Sequence, residues 1–178
     1  VCIGGPWGHS EGMSVAPDNA RSLWDMDLVD VSYGVVNQKI DAAFQDKALV
    51  SRCTVEAQEY LNTPGVELFP MQENLTTREL FAGKGSRQTL SKMNSFMERA
   101  FVLKEVFVDL MKEFDTDAIT VQGCMGTIMD RSETTACMVL TMLNDEGYLA
   151  FCESDFVVIP ASILLHYISG KPVFFGNP

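Results

Sequence analysis

Three carboxylates give this chain its first chemical reading: Glu133, Glu153 and Asp155. Glu133 follows the apolar, β-branched run Ala118–Gln122, which predicts a buried strand and a Gly-bearing loop after it. Glu153 and Asp155, with Ser154 between them, end a second apolar run, Tyr148–Cys152. Between the runs, Ser132 suits a helix cap and places Glu133 in the first turn, where the helix dipole favours a carboxylate. Ala136, Val139, Leu140 and Leu143 give that helix one apolar face, and Gly147 suits a left-handed stop. The unit reads strand–helix–strand, so the strands should be parallel with a right-handed crossover. Both acidic segments then leave carboxyl ends of parallel strands, the edge where open α/β sheets bind ligands. Carboxylates brought together there raise one another's pKa unless a cation separates them, and a divalent ion with oxygen ligands would do so. The same residues admit a structural reading, in which Glu133 is a helix-start charge and Glu153 and Asp155 cap the next helix.

Other reactive side chains are fewer. Cys124 lies in the loop beside the acids, but a nucleophilic thiol needs a neighbouring base and no pattern supplies one. His9 follows the turn Gly4-Gly5-Pro6-Trp7-Gly8, where it faces either a ligand or solvent. That turn lacks both Gly-Lys-Ser/Thr and GxGxxG spacing, so it is not a phosphate loop. His166 falls in mid-helix, roughly 15 Å beyond Asp155 at 1.5 Å per residue, and reads as a packing or surface residue.

The elements that must position these groups alternate along the chain. Strand-like runs stand near 1–5, 28–33, 118–122, 148–152 and 172–175. Helical patterns separate them: from Pro17 to about Trp24, Val35 to Phe44, Ala48 to Leu61, and a long one from Gln88 to Phe114 whose apolar stripe admits one polar residue, Lys104. A last helix opens at Pro160 and stops at Gly170. Val66–Ser86 is irregular and reads as a flap or spacer. The sum is an α/β fold, three-layered, with about five mainly parallel strands and helices on both faces.

With 178 residues the chain is long enough for one domain with a substantial core. Its 47% hydrophobic and 21% charged residues are ordinary for a globular protein. A net charge of −11, unrelieved by any basic cluster, argues against nucleic-acid and anionic-membrane partners. No apolar run reaches the roughly 20 residues that cross a bilayer. Five cysteines, odd in number and without a CxxC pair, suit free thiols in a reducing cytoplasm, four of them in apolar runs or on helical faces. Asn74-Leu75-Thr76 matches a glycosylation sequon, a frequent chance match. The chain starts at Val1 inside a strand-like run and ends at Pro178 just after another, so residues 1–178 are expected to be a single domain of a longer polypeptide.

Leu143-Asn144-Asp145-Glu146-Gly147, then Cys152-Glu153-Ser154-Asp155, a helix, and Gly170-Lys171-Pro172-Val173-Phe174 together resemble the middle region of the L-fucose isomerase and L-arabinose isomerase superfamily. The turn Ile3–Gly8 resembles the entry to that region, and the resemblance is most specific between Thr120 and Asp155. It implies a central α/β domain, set in the family between a Rossmann-like and a β-rich domain, and a cytoplasmic homo-oligomer, hexamer or trimer. It implies aldose–ketose isomerisation with manganese, or another divalent cation such as magnesium, held by two acids of this region and a histidine from outside it. By motif position Asp155 resembles the second acid, with Glu153 as its alternative, and Glu133 the first. Glu153, Gln122 and Trp7 are the implied sugar contacts.

The chemistry such residues would support is Lewis-acid stabilisation of an ene-diolate by the metal, with one carboxylate moving the proton beside the carbonyl. Glu133 is then base and ligand, and Asp155 a ligand. Two other classes fit the same frame: a sugar-binding module without catalysis, and an acidic interaction domain.

Overall fold

The computed structural model describes residues 1–8, 14–66 and 87–173, with 87–94 as backbone only. His9, the irregular stretch through Ser86, the sequon and residues 174–178 lie outside the described residues. Four strands form one wholly parallel sheet: β1 Cys2–Ile3, β2 Asp30–Val31, β3 Ala118–Val121 and β4 Leu149–Cys152, in the order β2-β1-β3-β4. The fifth expected strand is not seen where described, since Pro172 and Val173 stand outside any strand.

Seven helices are described: α1 Ala16–Trp24, α2 Tyr33–Gln45, α3 Lys47–Leu61, α4 Arg87–Glu113, α5 Ile128–Ser132, α6 Ala136–Asp145 and α7 Ile159–Ser169. Their starts follow local chemistry. Ser32 accepts from the Val35 amide at 3.4 Å to open α2, and Asp46 accepts from Ala48 and Leu49 to open α3. Ser32 therefore ends the run Leu28–Tyr33 as a helix cap, and only Asp30–Val31 pairs as strand. Pro160 lies in the first turn of α7, and Gly170, with φ 62°, closes it.

Alternation along the strands sends side chains to two cores. Ile3, Val31, Ile119, Val121 and Ala150 face one, built with α2 to α6, in which Phe107, Leu103 and Leu110 of α4 are fully buried. Cys2, Leu149 and Phe151 face the other, covered by Ala20 of α1 and Ile159 of α7. This is the three-layer α/β arrangement expected. Lys104, the polar residue of the α4 stripe, is buried and pairs with Glu146 beyond the end of α6 at 2.6 Å. The five cysteines are free, but Cys137 is exposed, because its position on α6 turns away from the buried Val139 and Leu140. Among the described residues no helix is long and apolar enough to cross a membrane.

Candidate functional site

The carboxyl end of β4 is shaped by two consecutive left-handed residues, Glu153 at φ 66° and Ser154 at φ 49°. Neither is glycine, and each such residue costs on the order of 1 kcal/mol unless its surroundings hold it. Here the loop after β1 holds them. The Trp7 amide donates to the Ser154 carbonyl at 3.0 Å, and the Phe156 amide donates to the Trp7 carbonyl at 2.8 Å. Trp7 and Asp155 are thereby parallel bridge partners, although β3 lies between β1 and β4 in the sheet. The chain leaves β1 through Gly4 and Gly5, at φ 80° and 92°, a backbone path suited to glycine, and reaches the end of β4 at Trp7.

Asp155 is buried. Its Oδ1 accepts from the Val157 amide at 3.0 Å, and its carbonyl accepts from Val158 and Ile159, so it starts the turn into α7. Glu153 is exposed beside it, and Ser154 is fully buried with no hydrogen-bond partner for its hydroxyl among the described residues. Gln122, half-buried, follows β3 at the same edge, its main-chain amide donating to the Ile3 carbonyl at 2.9 Å. Trp7, Gln122, Glu153 and Asp155 thus share the carboxyl edge.

Glu133 is placed otherwise than its first-turn reading. Ser132 does not cap α6. It is the last residue of the short helix α5, buried, with its hydroxyl donating to the Ile128 carbonyl at 2.8 Å. Glu133 follows as a left-handed cap at φ 52°, and Thr135 occupies the cap position of α6. The reason is local: the Met129 amide reaches the Cys124 carbonyl at 3.0 Å, winding an extra turn into the loop. Glu133 Oε2 then pairs with Arg99 Nη2 of α4 at 3.0 Å. Arg99 also reaches the Ser132 carbonyl and lies over the Phe44 ring, 4.9 Å from its centre. A fork from Arg131 to Asp41 of α2 fixes the same turn and holds the Asp41 carboxyl below its usual range.

Both thiols at this edge are shifted toward the protonated form. Burial first, then Glu153, whose Oε1 stands 3.5 Å from the sulfur, pushes Cys152 up to about 12. Burial likewise raises Cys124, the direction opposite to that which a nucleophilic thiolate requires. Among the described residues no three His, Cys, Asp or Glu side chains converge as a cation donor set. The described residues alone therefore do not make a manganese or magnesium site. Arg99, and Tyr33, whose hydroxyl accepts from the Gly123 amide after β3, are residues at these loops that sequence reasoning missed. One hides in a long helix and the other at a helix start, and neither carries a motif.

No family model matches the chain, and no solved structure matches it. Sulfoquinovose isomerase of Clostridium sp. (strain MSTE9) is similar to it, 28% identical over 140 residues. The match takes in 67% of this chain and 30% of that protein, so the chain spans under a third of the length of the relative it matches.

Proposed function

We propose that this chain forms part of an aldose–ketose isomerase, with the carboxyl edge of its sheet facing an open-chain sugar. The observation that carries the reading is the similarity to a protein named as a sugar isomerase, and the shared edge of Trp7, Gln122, Glu153 and Asp155 supports it. In this reading Asp155, fixed by the Trp7 bridge and the Val157 amide, takes the proton from the carbon beside the carbonyl and returns it to the former carbonyl carbon, while the proton of the adjacent hydroxyl passes to the former carbonyl oxygen. Glu153, exposed next to it, and Gln122 orient sugar hydroxyls, and the Trp7 side chain lies against the sugar carbons.

The pairing of Glu133 with Asp155 belongs to the same proposal and requires Glu133 to exchange Arg99 for the site. A divalent cation, manganese or magnesium, would polarise the carbonyl when bound. It would take part of its donor set from residues beyond those described, as in the family that the sequence resembles. Assembly into a homo-oligomer belongs to this reading too. The test is incubation of the full-length protein with a panel of aldoses, sulfoquinovose among them, in deuterated water with manganese. Ketose formation with deuterium entering beside the carbonyl is the expected result. Sugar binding without either change would instead make the chain part of a binding protein.

A further inference from the structure

We propose that the Tyr33 hydroxyl is a further substrate-binding group, donating its O–H to a neutral hydroxyl oxygen of an open-chain aldose. The proposal rests on the isomerase reading and adds a residue and its substrate contact to it. The sheet order places β2 on one side of β1 and β4 on the far side of β3. The connections therefore diverge between β1 and β3, and the crevice outside those two carboxyl ends is where open α/β sheets take ligands. In this chain the crevice is bounded by Gly4 after β1 and Gly123 after β3. Tyr33, the first residue of α2, reaches into it.

The Tyr33 oxygen accepts from the Gly123 amide at 2.9 Å. A Cβ on Gly4 would overlap the same hydroxyl, so the phenol is pressed against main chain on both sides of the crevice. That contact uses one lone pair and leaves the O–H proton without an acceptor among the described residues. Tyr33 is half-buried, so its hydroxyl is held in place without being sealed in. Carboxylates surround the crevice: Asp30, whose Oδ1 would lie 3.6 Å from a Cβ on Gly5, and Glu153 and Asp155 at the same edge. A neutral hydroxyl fits both the donor and the acids, so this part of the crevice takes a hydroxyl-bearing stretch of the sugar and any anionic end lies away from it.

The test compares the full-length protein with its Tyr33→Phe variant, which keeps the ring and removes the hydroxyl. KM and kcat are measured for an aldose that the wild type converts and for its monodeoxy analogues. The expected result is a KM raised about tenfold for the parent sugar with kcat within about twofold, and one deoxy analogue whose KM is the same for both proteins. An unchanged KM overturns the proposal. So does an equal rise for every analogue together with a lowered Tm, since that is the loss of a brace for Gly123. If the wild type binds aldoses without converting them, the isomerase reading fails, and the same ratios of Kd decide the role of Tyr33. A wild type that binds no aldose overturns both.

Discussion

Trp7 and Asp155 are joined through their main chains although a whole strand separates the strands they extend. The Trp7 amide and carbonyl bond to the residues on either side of Asp155, at 3.0 and 2.8 Å. The aromatic loop and the segment carrying the buried carboxylate are therefore tied together through main chain. Gly4 and Gly5 turn the chain out of β1 ahead of that link.

Gly4→Ala is expected to destabilise the protein by at least about 2 kcal/mol, because the new Cβ meets both a left-handed backbone and the Tyr33 hydroxyl. Urea unfolding measures this. A loss below about 0.5 kcal/mol would show that the loop takes another path.

Arg99 and Glu133 are expected to couple weakly. Their side chains are 31% and 66% exposed, and ion pairs of that kind contribute below about 1 kcal/mol. A double-mutant cycle with Arg99→Met and Glu133→Gln reads the coupling. A value above about 2 kcal/mol would mean that Glu133 is a fixed structural partner, unable to leave for the site.

Lys104 and Glu146 should behave differently, because the Lys104 side chain is only 10% exposed. Glu146→Ala leaves a buried ammonium without its partner and is expected to cost about 1–2 kcal/mol. Lys104→Met together with Glu146→Ala should recover most of that in urea unfolding, and no recovery would contradict the burial cost.

Stability should fall in alkali through the buried thiols. Burial pushes Cys2 and Cys53 up to about 11 and Cys152 to about 12. In the unfolded chain a thiol titrates near about 8.5. Above that value the folded protein keeps protons that the unfolded chain releases, so this stability is complete below about pH 8.5 and is lost as pH rises toward 11. The urea midpoint is expected to drop between about pH 8 and pH 10.5, less so in Cys53→Ala. Equal drops in both proteins would remove burial of Cys53 as the cause.

Much of the frame was legible in the residues. The runs at Ala118 and Tyr148 became β3 and β4, and Pro160 and Gly170 bounded α7 as their chemistry requires. The failures are where contacts far along the chain decide. β1 and β2 stand at the expected strand-like runs but pair over only two residues each, because Ser32 caps α2 and the turn at Gly4-Gly5 ends β1. The burial of Lys104 depends on Glu146, 42 positions later. Ser132 looked like a cap because nothing in sequence shows that Met129 would bond back to Cys124 and make it a helix end. Tyr33 meets Gly123 across 90 residues, and no local pattern encodes that.

The central claim is that Asp155 handles a proton of the sugar at the carboxyl edge. Asp155→Asn in the full-length protein isolates it, since the amide oxygen can still accept from the Val157 amide and keep the turn into α7. The measurement is deuterium uptake beside the carbonyl of an aldose that the wild type converts, with Tm recorded alongside. The account expects an unchanged Tm and exchange reduced by at least about a hundredfold, the scale of a lost general base. Exchange within a few-fold of wild type in a folded Asp155→Asn protein would contradict it.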